Sequence, residues 1–219
     1  MSETETIAVV GGTGNLGAAI ARRLAKAGRK VVIGSRAVER AQKVAGDLGF
    51  GMMGASNAEA AAAGDIIVVT VPFGSQEATL TEIAPHVAGK IVVDTTVPLV
   101  PPKTMRVQLP PEGSAAVRAQ RLLGDGVRIV SAFHNVAAHK LATDAEIDCD
   151  VLVFGDDKAA RVKVVELARQ LGLRGLQGGA LANSAAAEAL TSILIFINKT
   201  YRVDGAGIRV TGTLIEPEI

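Results

Sequence analysis

Internal disulfides are excluded at the outset, because the 219 residues include a single cysteine, Cys149. Such a chain suits a reducing compartment and must be held together by packing and hydrogen bonds. An excess of either charge is also missing: 23 lysines and arginines stand against 22 acidic residues, for a formal net charge of +1. With both signs mixed along the chain, that balance offers no footprint for nucleic acid and no patch for a membrane surface. No spacing of Cys, His and carboxylates matches a metal site. Neither a nucleophile triad nor a Tyr-x-x-x-Lys arrangement is present. The most apolar late stretch, Ala185 to Asn198, contains Glu188 and is too short for a bilayer. The opening MSETETIAVVGG runs straight into a strand pattern, without the basic and apolar regions of a signal peptide. The expectation is a cytoplasmic protein acting on small molecules, with no nucleic acid, membrane or metal.

What is present is core material: 48% of the residues are apolar, ample for one large domain. Strand patterns at Thr6–Val10, Lys30–Gly34, Ile66–Val71, Lys90–Asp94, Val127–Ala132 and Asp150–Phe154 alternate with helical ones. The helices are predicted at Asn15–Ala27, Val38–Leu48, Gln76–His86, Ser114–Leu123 and Asp157–Leu171. Strands apolar on nearly every residue, such as IIVVTV, are buried on both faces of a parallel sheet. Alternation of this kind predicts an α/β fold, a Rossmann-type doubly wound and mainly parallel sheet. Proline-rich Val97–Pro111 reads as a long irregular connection. After Gly175 the style changes: Gly178–Gly179 precede a helix from Asn183, as N-cap, to Tyr201. We therefore expect residues 1–178 to form the nucleotide domain and 179–219 a small helical appendage. A helix apolar over most of its surface needs more than one neighbour, so it is expected to pack on the domain and on a second subunit, as a homodimer.

The segment IAVVGGTGNLGAAIARRLAKAG sets Gly12, Gly14 and Gly17 in the G-x-G-x-x-G pattern, after a strand and opening a helix. Gly12 suits the tight turn, Gly14 the approach of a pyrophosphate and Gly17 close helix–strand packing; the helix N-terminus faces the phosphate charge. The second strand ends in VVIGSRAVER. Ser35 and Arg36 stand where an NAD site carries an acid, with Arg40 one helical turn on and Thr13 able to add a hydroxyl. Guanidinium groups bind a 2′-phosphate that a carboxylate would repel, so NADP(H) is favoured over NAD(H).

Ligands of open α/β sheets bind beyond the carboxyl ends of the strands. Those ends carry Thr70-Val71-Pro72-Phe73, Thr95-Thr96-Val97-Pro98 and Phe133-His134-Asn135-Val136. Val71, Pro72 and Phe73 are candidates for the nicotinamide ribose. His134 is the best placed titratable residue; His86 and His139 read as surface residues. Asp144, Glu146, Asp148 and Asp150 read as a solvated loop. With no alcohol-type proton dyad, the reaction expected is one governed by proximity.

These blocks, with VVDTTVPLV, PPEGSAAVRAQ, VSAFHNVAA, DCDVLVFGDD and ALANSAAAEALTSILIFIN, make the chain resemble the coenzyme F420-dependent NADP oxidoreductases along essentially its whole length. The resemblance implies hydride exchange between nicotinamide carbon 4 and carbon 5 of a deazaflavin, F420, in a homodimer. It implies a cofactor-binding set of Gly12, Thr13, Gly14, Asn15, Leu16, Gly17, Ser35, Arg36, Arg40, Thr70, Val71, Pro72, Phe73, His134, Val136 and Thr191. Of these, His134 and Val136 would lie against the deazaflavin and Thr191 near its tail. Where the family commonly has arginine after Asn183–Ser184, this chain has Ala185; Lys103 or Arg106 could compensate. Two other readings stay open: an NADPH-dependent reductase of a flavin or small carbonyl or imine compound, and a module that senses NADP(H) without turnover.

Overall fold

The fold follows from how the two faces of each central strand are used. In the computed structural model, which describes residues 5–215, β1 (Thr6–Val10) is buried along its length. Its Ile7 and Val9 enter one apolar cluster, while Ala8 and Val10 enter a second on the opposite face. The other strands are β2 (Lys30–Ser35), β3 (Met53–Ser56), β4 (Ile66–Val69), β5 (Ile91–Asp94), β6 (Arg128–Ser131), β7 (Asp150–Gly155) and β8 (Arg174–Gly179). They form one sheet in the order β3-β2-β1-β4-β5-β6-β7-β8. Every pairing is parallel except β6 with β7. This is the expected doubly wound Rossmann-type architecture.

Helices α1 (Asn15–Lys26), α2 (Val38–Leu48) and α7 (Lys158–Gln170) supply the first cluster. Helices α3 (Asn57–Ala63), α4 (Phe73–Ile83) and α5 (Ala115–Leu123) supply the second. A short α6 (Ala138–Leu141) and the long α8 (Ser184–Tyr201) complete the chain. The strand order reverses between neighbouring β1 and β4, the switch point, and the carboxyl ends of β1, β4, β5 and β6 share one edge.

Several expectations are corrected. β3, reading MGAS, and β8, reading RGLQGG, lie at the two sheet edges; their half-exposed, glycine-containing sequences carry no apolar strand signal. Helix α3 went unpredicted because seven residues, mostly alanine, show no amphipathic period; only the Ser56–Glu59 capping box marks it. Asn183 occupies the cap position of α8 but does not cap it. A 3-10 turn over Leu181–Asn183 leads into the helix, and the Asn183 amide donates to Gly178 O instead. That turn makes Leu181–Tyr201 a stretch of 21 helical residues, long and apolar enough by composition to cross a membrane. The sequence estimate of a stretch too short was therefore wrong on length. Within the fold, however, its Ser184, Ala187, Glu188, Ser192 and Leu194 are buried.

The acidic stretch divides. Asp144 is exposed and pairs with Arg22 and Lys26, and Asp148 pairs with Arg209. Asp150 is not in a solvated loop: it is buried at the start of β7. Arg174 grips both its carboxylate oxygens at 2.7 Å, and the Val210 N–H reaches it at 2.6 Å, fastening the C-terminal tail.

Buried Arg23 on α1 donates to the carbonyls of Leu141, Thr143, Ala145 and Leu171, all within 3.1 Å. It thereby fixes the segment joining the post-β6 loop to β7. Burial pushes its pKa down from the ordinary arginine value. Replacing Arg23→Leu leaves the Leu141 and Leu171 carbonyls without their donor in the interior and frees those of Thr143 and Ala145 nearer the surface. The expected loss is about 3 kcal/mol, read as a lower urea midpoint without a change in slope.

Candidate functional site

At the carboxyl edge of the sheet, a cavity of about 550 Å³ opens between the β1–α1 turn, the end of β2 and the start of α4. Thr13, Gly14, Ser35, Arg36, Arg40, Thr70, Val71 and Pro72 line it, bringing together eight of the residues picked from sequence. The turn is held open by glycine. A Cβ on Gly12 would strike the Val9 carbonyl, and one on Gly17 would strike the Thr70 hydroxyl and the Gly12 backbone. Gly14 is different: a Cβ there would meet only the Gly11 carbonyl, at 3.6 Å, so this backbone faces room rather than protein. Gly14 is also the N-cap of α1 and offers no side chain to its first N–H groups. An uncapped, positive helix end facing an open cavity is a seat for an anion.

The ribose end is equally suited. The Ser35 hydroxyl accepts from the Ala37 N–H at 3.2 Å, which leaves its own proton available to a ligand. Arg36 and Arg40 are exposed, and among the described residues neither is ion-paired to a carboxylate. Arg40 donates to the Thr13 carbonyl at 3.4 Å, which turns it toward the glycine turn. Thr70 spends its hydroxyl on the Val10 carbonyl at 3.0 Å and so ties the ends of β4 and β1 together.

Other predicted residues lie elsewhere. Asn15 lines a separate cavity of about 430 Å³ with Arg22, Ala138 and His139, between α1 and α6. Leu16 packs against the core. Phe73 lines a third cavity, of about 560 Å³, under the proline-rich loop, where Arg118 sits over its ring at 5.2 Å. The sequence reading missed Gly11, Asn57, Ser75 and Thr79, which also line the first cavity. Asn57 accepts from the Gly11 N–H at 3.2 Å. The capping box at Ser56 was the one signal that could have led to it.

His134, Val136 and Thr191 line none of these three cavities; the structure brings His134 and Thr191 together, while Val136 packs into the core. Thr191 Oγ1 donates to the His134 carbonyl at 3.1 Å, and the Asn135 amide donates to Thr191 Oγ1 at 3.1 Å. His134 is buried, with Nε2 2.8 Å from the Ser131 hydroxyl. Just before it, Phe133 takes a left-handed φ of 68° with its side chain buried in the core. A non-glycine residue held there costs about 1–3 kcal/mol and persists only where its surroundings over-determine it. His86 and His139 are exposed, as expected, and His139 contacts Asp204.

Residues 6–98 match the family model described as NADP oxidoreductase, coenzyme F420-dependent. Over 218 residues, 94% of each chain, the sequence is 41% identical to the F420-dependent NADP reductase of Methanothermobacter thermautotrophicus. It is 37% identical over 220 residues to the F420-dependent NADP reductase of Methanocaldococcus jannaschii, covering 94% of this chain and 97% of the relative. A solved structure from Arthrobacter sp. FB24, described as an F420-dependent NADP-reductase, superposes with a TM-score of 0.83 at 26% identity. That match covers 94% of this chain and 99% of the other.

Burial pushes the His134 pKa down to about 4, so the ring is neutral at the pH of a cell. Its contribution to stability is present above the ordinary histidine pKa of about 6.5 and is lost as pH falls through about 4. In an NMR titration the His134 ring resonances are expected to stay at their neutral positions down to pH ~5. A midpoint near the ordinary value would refute this environment.

Proposed function

Because the chain belongs to the coenzyme F420-dependent NADP oxidoreductases, we propose that it transfers a hydride between NADP(H) and F420. What carries the cofactor half of this reading is the pair of guanidiniums with no carboxylate partner among the described residues, beside an uncapped helix N-terminus. Gly14 and the first turn of α1 would hold the pyrophosphate, while Thr13, Ser35, Arg36 and Arg40 would hold the 2′-phosphate. Val71 and Pro72 would guide the nicotinamide ribose toward the strand ends. On the acceptor side we assign His134 and Val136 to the wall against the deazaflavin and Thr191 to the approach of its tail.

When bound, the two ring systems supply the redox chemistry, NADPH and a proton reducing F420 to its dihydro form or the reverse. The protein's own task is orientation and exclusion of water. A neutral His134 fits that task, since it neither competes for a proton nor places a charge beside the acceptor. We assign the enzyme to the cytoplasm.

We also propose a homodimer formed through α8 of residues 179–219, with residues 1–178 as the nucleotide domain. The support is an inversion of polarity along the helix. Ser184, Glu188 and Ser192 face inward, whereas Ile193 is 48% and Phe196 53% exposed. Two such faces are self-complementary about a twofold axis.

Arg36→Ala is expected to weaken NADP(H) by about 10- to 100-fold, the loss of one charge-assisted contact, and to leave NAD(H) unchanged. Fluorescence titration checks this, and equal losses would remove Arg36 from the 2′-phosphate site. Purified protein with NADPH should bleach oxidised F420. NADPH bound without oxidation by F420, flavins, carbonyls or imines would favour the sensor reading. For the dimer, Phe196→Asp is expected to yield monomer by light scattering while the wild type shows twice the mass of one chain; a monomeric wild type overturns the assembly.

A further inference from the structure

The inward face of α8 is a stripe of Ser184, Ala187, Glu188, Thr191 and Ser192, spaced so that every member meets the same side of the helix. Glu188 at its centre is 1% exposed. A buried carboxyl is costly unless its oxygens are hydrogen-bonded, and among the described residues no cation pairs with it. Its partners are two backbone N–H groups and the Ser184 hydroxyl. One oxygen accepts from the Ala115 N–H at 2.7 Å and the other from the Ala116 N–H at 3.1 Å. Both amides belong to the first turn of α5, where donors are orphaned and the helix dipole favours an acid. Ser184 adds a bond from its hydroxyl to that of Ser114, at 2.9 Å.

The same α5 turn is tied to the sheet. Gln76 donates to Asp94 at the end of β5 (2.6 Å) and to the Ala115 carbonyl (3.0 Å). On its other side, α8 holds the loop that follows β6. The Asn135 amide donates to the Ala187 carbonyl at 3.0 Å, and Thr191 joins Asn135 to the His134 carbonyl. Asn135 is gripped at its own carbonyl by the Cys149 thiol, at 3.5 Å. An unbroken set of bonds therefore runs from β5 through Gln76, α5 and Glu188 into α8, and from α8 into the strained Phe133–Val136 turn.

We propose that Glu188 is a positioning residue for the acceptor side of the site: it pins α8 to the N-terminus of α5 and so sets where His134, Asn135 and Val136 stand. The proposal rests on the reading that this loop faces the acceptor. A carboxyl is required because two N–H donors need two acceptor oxygens. A glutamine offers one oxygen and turns an NH2 donor toward the other amide. Burial, reinforced by Asp94 and opposed by the two amide bonds and the Ser184 hydroxyl, pushes the Glu188 pKa up to about 8.

The test compares Glu188→Gln with wild type by three readouts: NADPH Kd from fluorescence, KM and kcat for F420 at saturating NADPH, and NMR shifts of the His134 ring and Asn135 side-chain amide in protein with no acceptor. The expected result is a folded variant whose NADPH Kd stays within about twofold. Its F420 KM should rise about tenfold, as for loss of one to two buried hydrogen bonds, with both sets of resonances displaced. Combined with Thr191→Val, the loss should be less than the sum, because both changes act through one set of contacts. Unmoved resonances, an unchanged F420 KM, or NADPH and F420 weakened together would overturn the pin. Should Glu188→Gln not fold, Ser184→Ala removes the hydroxyl that meets both Ser114 and Glu188; displacement in the same direction supports the proposal, and none overturns it. A wild type that binds NADPH but never reduces F420 sinks the acceptor reading, whereas the resonance shifts judge the pin by themselves.

Discussion

The N-terminus of α1 is electrostatically incomplete as the chain folds it. Gly14 contributes no capping side chain, and Arg36 and Arg40 across the cavity lack carboxylate partners among the described residues. Orphan amides at a helix end and unpaired guanidiniums ask for the same thing, an anion with several oxygens. Much of the N-terminal half is arranged to keep that demand in place. Gly12 and Gly17 let strand and helix close up, Thr70 ties β4 to β1, and Asn57 holds the Gly11 amide. Gly11, Asn57 and Thr70 themselves line the cavity, so these contacts fix its walls.

The region we assign to the acceptor is built on the opposite rule. Around His134 the polar groups are partnered internally: Nε2 with Ser131, the carbonyl with Thr191, and the next side chain with Ala187 and Thr191. Charge is removed as well, because burial holds the imidazole neutral. A phosphate-binding end needs fixed positive charge, whereas a face for ring-to-ring transfer needs shape and an absence of competing water. The division of labour we propose between α1 and α8 follows from that difference.

Legibility in the sequence followed the locality of each signal. β1, α1 and the glycine turn lie within one short segment, IAVVGGTGNLGAAIARRLAKAG, whose pattern and punctuation agree, and they could be read directly. Arg36 and Arg40 were legible because they follow β2 at a fixed distance. The edge strands MGAS and RGLQGG were not, since a strand half open to solvent and containing glycine shows neither alternation nor an apolar run. Asn57 was lost with α3. Asn183 misled for another reason: cap chemistry is a local preference, and a preceding 3-10 turn had already fed the helix. Glu188 read only as a charge interrupting an apolar stretch. Its meaning depends on amides 72 and 73 residues away in sequence, and no local period records such a contact.

A helix with serines and an acid turned inward and Ile193 and Phe196 turned outward is a poor core helix by the usual preference for burying apolar side chains. The polar stripe makes sense if the helix must be placed by directional bonds rather than by fit alone. Apolar packing tolerates small slides along a helix axis, but a carboxyl holding two amides 2.7 and 3.1 Å away does not. Ser184, Glu188 and Thr191 sit on successive turns, so a slide that broke one contact would break the others. The acid in the interior is thus the cost of fixing a register, and the strained turn at Phe133 is where that register meets the rest of the site.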